Sequence, residues 1–156
     1  MDITNTIIGI VFFSLIVIPI FIINNNVRKR KNQLLNTLNE LSSDKKTKFS
    51  ETDFWTNTSG IGVKGDELCF FRKEEAHPIQ EVINLNDVKK CSLVQFDKHG
   101  NVPKNNHEIN KLALHLTLSN HKEINLVFFH ADAVNFIIGE EFRIAKKWLD
   151  IITNKI

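Results

Sequence analysis

Six histidines, His77, His99, His107, His115, His121 and His130, are the side chains here best suited to moving protons or holding a metal. A zinc site needs His or Cys at short, fixed spacings, such as two histidines one helical turn apart. No such pair occurs. The two cysteines, Cys69 and Cys91, sit in separate strand-like runs without Cys-x-x-Cys spacing, so they read as buried thiols. His130 with Asp132 resembles a base and its orienting carboxylate, but no serine or cysteine nucleophile stands on a recognisable elbow. Glu140 and Glu141 are adjacent. On a helix they point in different directions, which suits a dipole at the helix start better than paired acid–base catalysis. Gly60-Ile61-Gly62 lacks the further glycine and following helix of a dinucleotide fingerprint. No catalytic residue, cofactor or metal is expected, and the chain reads as a non-enzyme. A substrate-sized pocket lined by His130, Asp132 and glutamates would reverse that reading.

The strongest local signal is physical rather than catalytic. From Ile7 to Ile23 every residue is apolar except Gly9, Ser14 and Pro19, and Ile3 to Thr6 adds another turn in front. Taken from Ile3, this makes a helix about 31 Å long, against ~30 Å of bilayer hydrocarbon. Asp2 is the only charged side chain before the run, and no alanine precedes Ala76, so neither the basic start nor the Ala-x-Ala site of a cleaved signal is present. Residues 1–23 are therefore expected to be a retained transmembrane anchor, with residues 3–23 in the bilayer. Pro19 reads as a mild kink that lipid tolerates. Arg28, Lys29, Arg30 and Lys31 follow at once. By the positive-inside rule they put the N-terminus outside and the rest in the cytoplasm, at the cell (inner) membrane. The same four cations are the candidate contact with anionic headgroups, and a cytoplasmic address argues against a disulfide.

The formal charge of +2 hides an uneven distribution. Residues 49–156 hold 13 Lys and Arg against 15 Asp and Glu. Nucleic-acid binding needs a basic face on the domain itself, so it is not expected.

The elements that position these residues follow from periodicity. Residues 24–53 read as a basic juxtamembrane helix and a polar linker. Leu34, Leu38 and Leu41 form a short stripe that could pair two chains or lie against the chain's own domain. From Phe54 the period becomes two. Gly65-Asp66 suits a type II′ turn, which predicts Val63 opposite Leu68, Ile61 opposite Phe70, and bare Gly60 and Gly62 opposite Phe71 and Cys69. Strands are expected over Ile79–Leu85 and Val88–Phe96, with a turn at Asn86-Asp87, then a long polar loop from Asp97 to Asn110. The alternations Leu112/Leu114/Leu116/Leu118 and Ile124/Leu126/Phe128 share a face only across an odd loop. That predicts Ser119-Asn120-His121 as the turn, Leu116 opposite Ile124, and Leu114 opposite Leu126. A helix from Gly139 to Asn154 closes the chain with Phe142, Ala145, Trp148, Leu149 and Ile152 as its buried stripe.

The fold class is α+β: an N-terminal transmembrane helix, a small antiparallel β-sandwich or partly open barrel of six or seven strands, and a C-terminal amphipathic helix over it. This order of elements, the Ile83-Asn84-Leu85-Asn86-Asp87-Val88-Lys89-Lys90-Cys91 run and the Gly139–Trp148 segment resemble a pleckstrin-homology-like (PH-like) domain over residues 54–156. They are also similar to uncharacterised single-pass bacterial membrane proteins carrying such a domain. The resemblance implies a binding or localisation module rather than an enzyme. In lipid-binding members a basic motif in the first hairpin holds the inositide. Here Lys64, Arg72 and Lys73 face Asp66, Glu67, Glu74 and Glu75, a departure from that motif. The expected function is a membrane-anchored adaptor that takes a protein partner on a strand edge or in a groove beside the C-terminal helix. The alternative is a lipid-binding sensor using the basic juxtamembrane segment.

Overall fold

The computed structural model describes residues 3–56, 58–73, 78–103, 108–131 and 138–156, without the side chains of residues 3–12 and 20. Helix α1 spans Ile3–Leu41 and continues through Pro19. Its contacts divide the chain into Met1–Thr37 and Leu38–Ile156. Among the described residues no helix is long and apolar enough to cross a membrane. The expected span of residues 3–23 falls largely on side chains outside that description. Its described remainder, Phe13 to Ile23, is about 16 Å long as a helix, half a bilayer core.

The second unit is α+β, with seven strands among the described residues. Strands β1 (Glu51–Trp55), β2 (Ser59–Lys64), β3 (Glu67–Arg72) and β4 (Ile79–Asn84) form one antiparallel sheet in that order. A 3₁₀ turn at Leu85–Asp87 then leads into the second sheet of β5 (Val88–Phe96), β6 (Lys111–Leu118) and β7 (Glu123–His130). Helix α2 (Glu140–Thr153) follows. Neither sheet closes on itself.

Both predicted hairpin registers are observed. Val63 faces Leu68, Ile61 faces Phe70, and the glycines face Phe71 and Cys69. Leu116 faces Ile124 and Leu114 faces Leu126. The second turn closes through Leu118 N–H donating to Lys122 O at 2.9 Å, with His121 at φ 64°.

β1 begins three residues before the predicted change of period, so Glu51-Thr52-Asp53 belong to a strand rather than a linker. Its last residue, Trp55, is buried and stacks on Phe128 with ring centroids 4.7 Å apart, while Phe70 lies 5.8 Å from both rings. The register slips between Leu112 and Ala113, so Phe128 has no partner across the ladder and both Phe128 and Phe129 are buried. The carbonyl of the bulged Phe128 accepts from Trp55 Nε1–H at 2.9 Å. One indole thus joins the two sheets through a ring stack and a hydrogen bond.

The first sheet is also covered on its outer face. Every residue of β2 is buried. A Cβ on Gly60 would come within 2.6 Å of Phe54 and 2.7 Å of Phe71, and one on Gly62 within 2.9 Å of Phe49 and 3.2 Å of Leu38. Leu38 is fully buried, and Leu41 is partly so. The strap Ser42–Ser50 is held by polar bonds. Ser43 N–H donates to Glu67 Oε1 at 2.9 Å, Ser50 N–H to Val63 O at 2.9 Å, and the buried Lys64 ammonium to Asp44 O. Lys45 turns back to donate to Asn39 O and Glu40 O at 2.9 and 2.8 Å, satisfying carbonyls at the end of α1.

Candidate functional site

The ladder order leaves β5 with a strand neighbour on one side only. Such an edge presents unpaired N–H and C=O groups, and folded proteins usually blunt it. Among the described residues, the blunting features within β5 itself lie at its start, where the register shifts between Val88 and Lys90 and both Lys89 and Lys90 are exposed. From Cys91 onward the strand is regular and half-buried.

α2 flanks this stretch. Ile144, Ala145, Trp148 and Ile152 form its buried face, and Phe142, Leu149 and Ile151 pack partly against the core. The buried stripe is therefore rotated relative to the predicted one, bringing in Ile144 and leaving Leu149 on the flank. Gly139 is the N-cap and has no side chain to cap with. Glu141 Oε2 instead accepts from Gly139 N–H at 2.8 Å. The middle of the helix is clamped to β1, where Asp53 Oδ2 accepts from Lys147 Nζ at 2.7 Å and from Trp148 Nε1 at 2.9 Å. Past its end, Lys155 Nζ donates to Gly65 O at 3.2 Å.

Between β5 and the last turns of α2 lies an open groove of about 740 Å³. Cys91, Ser92 and Leu93 form its strand side, and Leu149, Asp150, Thr153 and Asn154 its helix side. Its size falls within the ~300–1,000 Å³ of small-ligand sites, and its walls mix apolar and small polar groups. Burial pushes the Cys91 thiol up to about 11, so it is a neutral wall group rather than a nucleophile.

A second cleft of about 530 Å³ lies at Asp97, Lys98, His99, Glu108, Ile109, Asn110 and Ala131. Its central carboxylate is committed to its own turn: Asp97 Oδ1 accepts from His99 N–H at 2.7 Å and Asn101 N–H at 2.8 Å. The N–H of Asn101 is the first cause holding Asp97 below the usual carboxylate range. Residues 104–107 of this loop lie outside the described residues.

The residues singled out in the sequence do not converge. Arg28, Lys29, Arg30 and Lys31 are exposed on α1. His130 is exposed at the end of β7, while Asp132, His77 and His107 lie outside the described residues. His115 Nδ1 pairs with Asn125 Oδ1 at 2.9 Å directly across the ladder, on the polar outer face of the second sheet. Glu140 meets Arg143 at 3.8 Å on the surface. Among the described residues no three His, Cys, Asp or Glu side chains are grouped as a metal site. Gly60-Ile61-Gly62 is strand packing. The groove had no marker in the sequence beyond the helix that forms one wall.

Comparison with family models, with curated proteins and with solved structures finds no match to this chain.

Proposed function

We propose that the chain is a membrane-tethered, non-enzymatic PH-like binding module whose protein partner docks as an extended segment on the free edge of β5, in the groove beside α2. The single observation behind this reading is the pairing of a strand edge with one ladder neighbour, Cys91 to Leu93, with the helix wall of Leu149 to Asn154 across an open groove. An added strand gains main-chain hydrogen bonds from the edge, and alternate side chains enter the groove. The tether rests on the apolar run to Ile23 and the four cations after it.

The test is a photo-crosslinking residue installed at Ser92 and, separately, at the exposed Gln80 on β4 of the other sheet, in the full chain in its native membrane. A discrete protein adduct from Ser92 and none from Gln80 is expected. Equal adducts from both positions would remove the groove as the binding surface. The tether is checked in the same membranes: the chain stays in the pellet after alkaline carbonate washing, and release into the supernatant would end that part of the reading.

The second reading, lipid sensing, draws on the exposure of Arg28 to Lys31. It requires salt-sensitive binding to anionic vesicles by a chain lacking residues 1–23. The slight acidity of residues 49–156 opposes it. Self-association through Leu34, Leu38 and Leu41 would have to unseat Leu38 from Gly62, so the adaptor reading needs no homodimer.

A further inference from the structure

Asp150 stands on the helix wall of the groove, exposed, and among the described residues its carboxylate has no hydrogen-bond or ion-pair partner. Its natural partners on α2 are the lysines three and four residues earlier. Both are engaged elsewhere. Lys147 is bonded to Asp53 and meets Glu51 at 3.4 Å, and Lys146 Nζ lies 5.3 Å over the Phe142 ring. Among the described residues no lysine or arginine lines the groove, and the last turn of α2 carries no basic residue. The carbonyl end of the helix dipole adds to the carboxylate, and the nearest cation beyond that end, Lys155, is turned to Gly65 O at 3.2 Å. Lys89 and Lys90, the cations of β5, lie at the blunted start of the strand, ahead of the groove's strand wall. Apolar contact is available beside the charge, from Leu93 across to Leu149.

We infer that the groove selects a basic extended peptide, one that places a lysine or arginine against Asp150 and an apolar side chain between Leu93 and Leu149. This rests on the groove reading above and adds the partner's chemistry. An unpaired carboxylate beside a helix C-terminus attracts a cation, repels a carboxylate, and leaves a neutral side chain between the two. Because Asp150 is exposed, the preference is modest: about three- to fivefold tighter for lysine than for a neutral side chain of equal length.

The experiment uses the full chain, solubilised and isotope-labelled, and three octapeptides of alternating valine and threonine. At the fourth position they carry lysine, norleucine or glutamate. Amide shifts of Cys91, Ser92 and Leu93 report occupancy, and titration gives the three affinities. The expected order is lysine, norleucine, glutamate, with the spread narrowing at high salt and vanishing in Asp150→Asn. If the three peptides move the β5 amides with equal affinity, glutamate binds tightest, or Asp150→Asn keeps the order, the cation preference is wrong while the groove stands. If none of the peptides moves these amides, the groove reading itself fails.

Discussion

Asp53 and Trp148, on the first strand and the last helix, share a hydrogen bond of 2.9 Å from the indole N–H to a carboxylate oxygen that Lys147 also reaches at 2.7 Å. Trp148 is fully buried, so Asp53→Ala strands its N–H without an acceptor. The expected loss is about 1–3 kcal/mol in urea unfolding. Asp53→Asn, which keeps an acceptor, should lose less. The bond to Asp53 holds the Lys147 ammonium above its ordinary value near 10.5, against the opposing effect of burial. Its contribution is whole below about pH 10.5 and is lost as pH climbs through the raised folded value. The native chain should therefore lose more stability above pH 10.5 than Asp53→Asn does. Parallel alkaline profiles would show that Lys147 adds nothing.

Glu67 has the opposite sign. Burial pushes its carboxyl up, but the bond from Ser43 N–H and further bonds from the Ser42 and Ser43 hydroxyls and the Cys69 thiol outweigh it. The net shift is downward from about 4.5, so the contribution is present above that pH and lost as pH falls through the lower folded value. The Ser43 amide should then exchange with solvent ahead of the β2 amides in mild acid, and Glu67→Gln should show the faster exchange already at neutral pH. Equal protection of Ser43 at pH 3 and pH 6, corrected for intrinsic rates, would count against the strap's dependence on Glu67.

Leu38 behaves as part of the folded unit. Leu38→Ala should cost about 2–5 kcal/mol, the range for a fully buried leucine, whereas an exposed stripe residue would cost little. Fragments carry the same point further. One beginning at Asn32 keeps the cover over Gly62 and should unfold cooperatively. One beginning at Phe54 loses Leu38, Phe49 and most of β1, and should aggregate or unfold without a clear transition.

Gly60 tests the packing of the two rings beside it. Gly60→Ala places a methyl closer than contact distance to both Phe54 and Phe71, and Phe71 is buried and cannot swing clear. A loss of about 1–3 kcal/mol is expected from this overpacking. Phe54→Leu in the same chain should recover part of it. Full tolerance of Gly60→Ala would mean the rings move freely.

Much of the β-architecture was legible because its cues are local. A Gly-Asp turn and strict leucine alternation set two registers within a few residues of themselves. β1 was not legible, because Glu51 and Asp53 break its apolar alternation. They are there for Lys147, which lies more than ninety positions away. The cover over Gly62 is a second case. A leucine stripe has the same spacing whether it meets another chain or its own sheet, and only the bare glycine beneath Leu38 distinguishes them. The groove was hidden for a topological reason. β5 alternates like its neighbours, and having one free side is a property of the sheet order rather than of its residues.

Because the chain passes once from one sheet to the other, at Leu85–Asp87, each sheet is a meander of consecutive strands. Every ladder can therefore zip between neighbours in sequence, without waiting for the other half of the molecule. No backbone ladder joins the two sheets among the described residues. Their cooperativity thus rests on side chains: the Trp55–Phe128 stack, the apolar core between the sheets and the clamp on α2. A backbone cut within Leu85–Asp87 would leave both sets of ladders intact. Made between Asn86 and Asp87 in the fragment that begins at Asn32, such a cut gives pieces 32–86 and 87–156, which should find each other again in solution, with Trp55 fluorescence reporting the moment they join.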